Sequence, residues 1–180
     1  DITRETGPSR TSIRPALLRL KYEGLVEMIP NRGAFVAKPS EEDLRQVYRV
    51  REVLEHGMLE DAIRHRTEAQ LRAMEENLKA QEVLTQHYSR QEYVTLNHTF
   101  HWLVVEASAN KYYEKYLNEL QNKVATYLLF WDSSTTNSLS LDLHLRIFEA
   151  FRDRDEQKGV LALMEDLQLA EECVRESQQL

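Results

Sequence analysis

Gly7-Pro8-Ser9-Arg10-Thr11-Ser12-Ile13-Arg14-Pro15-Ala16-Leu17-Leu18-Arg19-Leu20-Lys21-Tyr22-Glu23-Gly24-Leu25-Val26 runs directly into Glu27 to Val36, with Pro30-Asn31-Arg32-Gly33 at the centre of that second stretch. A capping serine, arginines at 10, 14 and 19, and apolar residues at 13, 17, 18 and 20 describe a short helix that packs one side and presents cations on the other. Gly24 closes that helix, and the two short runs around Asn-Arg-Gly read as a β-hairpin. Helix cap, arginine spacing, glycine stop and basic hairpin tip come in the order that a winged DNA-reading head needs. Arg10, Thr11, Arg14, Arg19 and Arg32 are the candidate DNA contacts; the plainer alternative is a set of solvated helix charges.

Charge sets this head apart. Residues 1–38 hold seven Lys/Arg against four Asp/Glu, a balance of +3, while the whole chain stands at −7, so residues 39–180 carry −10. A positive end on an acidic body suits a chain that meets phosphates with one face only. At 180 residues, 42% hydrophobic, with five Gly and four Pro, the chain has material for one small head and one sizeable helical core. The longest strongly apolar run, Val124 to Trp131, is eight residues and too short for a bilayer span. The opening residues show no signal-peptide pattern. Cys173 is the single cysteine, which excludes a disulfide framework or a multi-cysteine zinc site and makes a reducing cytoplasm the expected compartment.

Past Lys38-Pro39-Ser40 the periodicity becomes helical. Ser40-Glu41-Glu42-Asp43 is a capped, acidic helix start, with the pattern continuing from Leu44 to about Arg66. Further helices are expected from Thr67-Glu68 to about His87, from Ser89 to near Ser108, from Asn110 to about Trp131, from Leu139 to Arg154 and from Glu156 to Ser177. Asp132-Ser133-Ser134-Thr135-Thr136-Asn137 reads as the clearest loop. The predicted fold is therefore mainly α. A partial winged helix-turn-helix at residues 1–38 precedes an antiparallel bundle of about six helices at 39–180.

Polar residues inside the apolar stripes mark a candidate site. Arg51 lies within the face of Leu44, Val47, Tyr48, Leu54 and Met58, and a buried arginine requires an anion. Asn97 and His101 are spaced i, i+4 in the stripe of Tyr93, Phe100 and Val104, so they point the same way. His144 shares a face with Leu141, Ile147, Phe148 and Phe151, and Asp166 lies among Ala162, Leu163, Leu169 and Ala170. A lone inward histidine is more often a hydrogen-bonded core residue than a ligand, and Asp166 could equally pair with Arg51 or His144.

The run Ser9-Arg10-Thr11-x-Ile13-Arg14-x-Ala16-Leu17, Glu23-Gly24-Leu25-Val26 and Asn31-Arg32-Gly33-Ala34-Phe35-Val36 resembles the winged helix of GntR-family regulators. The body is similar to the ligand-sensing (FCD-type) domain of their FadR subfamily, its six helices being closer to the VanR-like branch. The motifs that carry this are Val50-Arg51-Glu52-x-Leu54-Glu55, Phe100-His101 leading to Ser108-Ala109-Asn110, and His144-x-x-Ile147-x-x-Ala150. The resemblance implies a dimeric transcription factor, not an enzyme, that reads palindromic operator DNA and senses a small organic acid. It also implies a divalent metal held by an Asp and a His four apart plus a His from each of two later helices. Here the Asp position is Asn97, the histidines are His101 and His144, and the last position is Asp166. That set suits zinc, manganese or nickel. Arg51 would meet the effector's carboxylate, with Trp131 as a second wall of its pocket.

Two departures bear on the head. Pro15 stands about six positions into the recognition helix, where it forfeits a bond to Thr11 and predicts a kink or a late start. Asp1 to Thr6 match the second helix of a winged helix, so the resemblance implies a fragment lacking the first helix, with weakened DNA binding. Alternative readings are a helical dimerisation protein with a non-functional pocket and a metal-dependent hydrolase built on His101, His144 and Asp166.

Overall fold

A computed structural model describes residues 10–38, 40–130 and 134–177, with side chains described for 13–38, 40–128 and 138–173. The chain divides into two compact units at Pro39/Ser40.

The first unit contains α1 (Arg10–Tyr22) and a two-stranded antiparallel hairpin, β1 (Val26–Ile29) with β2 (Gly33–Val36). Gly24 ends the helix at φ +75°, a conformation unstrained only for glycine, and the Gly24 and Leu25 amides return to the carbonyls of Lys21 and Leu20. Pairing Val26 with Val36 and Ile29 with Gly33 sets the register around a turn in which Asn31 and Gly33 both have positive φ. The helix begins at Arg10 and continues through Pro15, which corrects the expected late start. A proline at the sixth position removes one bond, that to the Thr11 carbonyl, and leaves the start where it is.

The second unit is six helices: α2 (Glu41–His65), α3 (Glu68–Gln86), α4 (Arg90–Ala107), α5 (Lys111–Phe130), α6 (Ser134–Asp153) and α7 (Glu156–Ser177). Their starts follow from capping chemistry: Ser40 accepts from the Asp43 amide, Thr67 and Gln70 form a reciprocal capping box, and Asn110 accepts from the Tyr112 amide. The loop expected at 132–137 is corrected in part, since residues 134–137 already belong to α6. Ser, Thr and Asn read as loop by composition, yet they cost little in a first turn whose amides lack intrahelical partners.

Helix α2 packs against α4, α5 and α7, α3 packs against α4 and α6, and α6 lies along α7. The link between α6 and α7 is short because Arg154 takes a left-handed φ of 56°, and its guanidinium caps the carbonyls of Ile63 and Arg64 at the end of α2. Gly159 brings α7 close to α2 and α6, since a Cβ there would lie 2.7 Å from Ile63 Cδ1.

The interior has an apolar layer on either side of a polar one. One cluster contains Met58, Leu78, Phe100, Val104, Leu117, Ile147, Phe151 and Leu163; the other contains Leu44, Tyr48, Leu84, Tyr93, Val124, Leu128 and Leu167. On most body helices a buried polar residue falls between the two: Arg51 and Glu55 between Tyr48 and Met58, Gln81 between Leu78 and Leu84, Gln121 between Leu117 and Val124, Asp166 between Leu163 and Leu167; on α4, His101 adjoins Phe100 of the first cluster. Helix α6 adds His144 from within the first cluster.

Candidate metal and anion chamber

The six helices bring His101, His144 and Asp166 together in this polar layer. One ligand atom from each lies within 4.8 Å of the others. His101 Nε2 is 3.2 Å from Asp166 Oδ2, and His144 Nε2 is 3.7 Å from Asp166 Oδ1, beyond hydrogen-bond reach. The two imidazoles meet edge to face at 5.1 Å between ring centres, and His144 stacks on Phe100 at 4.2 Å.

The orientation of His144 is set from behind. Its Nδ1 lies 2.8 Å from Gln81 Oε1, so Nδ1–H donates and the lone pair belongs to Nε2. Gln81 is itself fixed, because its amide nitrogen donates to Asn77 Oδ1 at 2.6 Å and Asn77 donates to the Leu96 carbonyl at 3.2 Å. His144 is fully buried and its Nε2 has no hydrogen-bond partner. Burial pushes its pKa down to about 3 against the pull of Asp166, keeping the ring neutral. For Asp166, burial favours the protonated acid, yet the hydrogen bond from His101 and the charge of Arg51 hold the carboxyl below its ordinary range. Two imidazole nitrogens and one carboxylate form a donor set suited to a divalent transition metal. Two atoms bound at about 2.1 Å to one ion are at most about 4.2 Å apart, so the present spacing would need only a small contraction.

On the other side of His101 the lining changes. Arg51, Asn97, His98, His101, Gln121, Val124 and Ala125 line a cavity of about 10 Å³. Arg51 Nε is 2.6 Å from Glu55 Oε1 and its guanidinium lies 5.3 Å from the Tyr48 ring centre. Burial opposes the charge on Arg51, but Glu55 raises its pKa overall. Glu55 Oε2, Tyr48 Oη, His98 Nε2 and both amide atoms of Gln121 have no hydrogen-bond partner. Each such group forgoes a bond worth about 1–3 kcal/mol of desolvation.

The sequence-predicted residues thus fall into distinct places. His101, His144 and Asp166 converge; Asn97, half-buried, and Arg51 line the neighbouring cavity. Trp131 lies outside the described residues, as do the side chains of Arg10 and Thr11. Arg14, Arg19 and Arg32 are exposed on the head, Arg19 paired with Glu23 at 2.8 Å and Arg32 over the Phe35 ring at 5.5 Å. Sequence reasoning missed Glu55, Asn77, Gln81 and Gln121. The spacing carried a signal for each: Glu55 is four after Arg51, Asn77 and Gln81 are three after Met74 and Leu78, and Gln121 is four after Leu117.

Among curated proteins the chain is similar to the HTH-type transcriptional repressor RspR of Escherichia coli (strain K12), 28% identical over 95% of this chain and 75% of that one. Among solved structures it superposes on E. coli McbR/YncC with a TM-score of 0.88 at 18% identity, covering 98% of this chain and 85% of that one. A GntR-family transcriptional regulator from Pseudomonas syringae pv. tomato str. DC3000 is 25% identical at a TM-score of 0.68, covering 99% and 74%. No helix among the described residues is long and apolar enough to cross a membrane. With residues 46–169 matched by the family described as FCD domain, the chain belongs to the FCD-domain transcriptional regulators of the GntR type.

Proposed function

We propose that the helical body senses a small organic anion through a divalent metal and passes the signal to a DNA-binding winged helix formed by the head. The observation that carries this is the unpaired Nε2 of His144, held by Gln81 to face Asp166 and His101. An apolar core has no need of that lone pair; a metal does. His101, His144 and Asp166 would hold the ion, with the Asn97 carbonyl one turn before His101 as a further donor, and the ion would supply positive charge for an anionic ligand. Arg51 would take the ligand's carboxylate, for which its forked donors are suited. Arg10, Thr11, Arg14 and Arg19 on the reading helix and Arg32 at the hairpin tip would meet base edges and phosphates. Two copies about a two-fold axis would read a palindromic operator in the cytoplasm. Ligand changes DNA affinity only in so far as it binds the two states of the body differently.

A hydrolase would need a general base beside the cluster. The other buried carboxylate among the described residues, Glu55, is engaged by Arg51, which favours the sensor.

The test is operator affinity, by fluorescence anisotropy on a duplex selected by this chain from a random library, with and without metal and small carboxylates. Arg51→Ala should abolish the carboxylate response and spare DNA affinity. The double variant Arg51→Gln, Glu55→Gln gives the same reading without stranding a charge. Equal loss of both activities in the double variant would leave Arg51 as a structural ion-pair partner only.

A further inference from the structure

A hollow of about 600 Å³ lies between α3 and α6, and none of the side chains lining it belongs to the metal cluster or the anion chamber. That volume is in the usual range of small-molecule sites. The two helices run antiparallel: Arg66, just before α3, bonds the Phe151 and Arg152 carbonyls at the end of α6, and further along Gln81 meets His144. This direction sorts the lining into two ends. Glu82 and Thr85 of α3 share one end with Ser138 and Asp142 of α6, while Leu78, Leu145 and Phe148 lie towards the other.

The two ends differ in charge. Glu75, near Phe148, is neutralised by Lys79 at 3.2 Å. Among the described residues neither Glu82 nor Asp142 has an ion-pair partner. The floor is apolar, with Leu78 and Leu141 buried and Leu145 left 41% exposed.

We propose that this hollow is a binding site for an amphipathic organic cation, a protonated primary amine joined by a short chain to an aromatic or branched aliphatic group. Carboxylates only accept, hydroxyls can accept, and an ammonium only donates, so the Glu82 end and the ligand's head are complementary. Glu82 and Leu78 are one helical turn apart, which sets about 6 Å between the ammonium and the apolar group. An anion is repelled, and a neutral apolar molecule covers two carboxylates without supplying a counter-charge. A second copy of the chain about a two-fold axis would bring these same acids together, in a body that carries −10 over residues 39–180.

Three probes of one skeleton separate charge from shape: 3-phenylpropylamine, 3-phenylpropan-1-ol and 3-phenylpropionate. In an NMR titration of the methyl-labelled full chain at low ionic strength, the amine should move the Leu78, Leu141 and Leu145 signals and bind at least about fivefold tighter than the alcohol, an advantage that 1 M salt removes. The acid should leave those signals in place. The double variant Glu82→Gln, Asp142→Asn, with both positions exposed, should bring amine and alcohol to parity, whereas Glu75→Gln should not. Zinc affinity should be unchanged in the double variant, so the cation site and the metal cluster stand or fall separately. Parity of amine and alcohol in the unaltered chain, or shifts absent from these three leucines, overturns the proposal. Leu145→Lys should abolish amine binding without changing the mass at sedimentation equilibrium; a fall in mass would overturn the proposal and give the hollow to a second copy.

Discussion

Two buried glutamines lie in the same polar layer and meet opposite fates. Gln81 is bonded at both ends, to His144 and to Asn77, and through it the main chain at Leu96 fixes which nitrogen of His144 carries the lone pair. Gln121 is bonded at neither. The same contrast runs through the two sides of His101. On the His144 side the Gln81 amide and His144 Nδ1 are committed, while His144 Nε2 has no hydrogen-bond partner and faces a carboxylate and a second imidazole. On the Arg51 side, Glu55 Oε2, Tyr48 Oη, His98 Nε2 and the Gln121 amide are all unmet. A preorganised side suits a resident ion, whose ligands must be oriented before it arrives. An unfinished side suits a ligand that comes and goes and is read by what it completes.

The comparison breaks most visibly at Arg51. Arg51→Ala strands Glu55 in the interior and should cost about 3–5 kcal/mol in denaturant unfolding, most of it recovered when Glu55→Leu is added. A cost near zero for the single change would mean that water reaches the pair. On the other side, Asp166→Asn removes the one carboxylate of the cluster, and metal affinity measured by calorimetry should drop more than about 100-fold. Gln81→Leu leaves the ligands in place but frees the His144 ring, so the loss should be about 10- to 100-fold.

Acidification separates the two sides further. In chelator-treated protein the folded pKa of His144, about 3, lies below the ordinary 6.5, so between these values the unfolded chain takes a proton that the native state refuses. Stability is then full above about pH 6.5 and falls as pH is lowered, by up to about 1.4 kcal/mol per unit. His144→Phe should flatten that slope in pH-dependent melting. The smallest effect has the opposite sign. Gln121→Leu removes an unbonded amide and should leave ligand-free stability unchanged or raise it by up to about 1 kcal/mol, whereas Gln81→Leu lowers it.

Much of this was legible in the chain. The capping residues Ser40, Thr67 and Asn110 place three helix starts, and the stripes locate Arg51, His101, His144 and Asp166 on inward faces. Charged or imidazole side chains in an apolar stripe stand out because burying them is costly. Neutral amides do not, so Asn77, Gln81 and Gln121 passed as ordinary polar residues although their spacing was inward. Partnership across helices was legible for His101, His144 and Asp166 only through the family resemblance, and for the amides not at all. Nothing in the sequence says that Gln81 on α3 meets His144 on α6. The i, i+4 spacing of Arg51 and Glu55 did offer that pair within one helix. The segment 134–137 misled for the converse reason, since loop-like composition also suits a helix's first turn.

The preorganised side carries the whole account, and one titration tests it most directly. Zinc added to chelator-stripped full chain, and to His144→Ala, should bind at one ion per chain in the former with a rise in melting temperature, and without a comparable site in the latter. Absence of binding to the unaltered chain, or equal affinity in both, would contradict the assignment of His101, His144 and Asp166 to a metal.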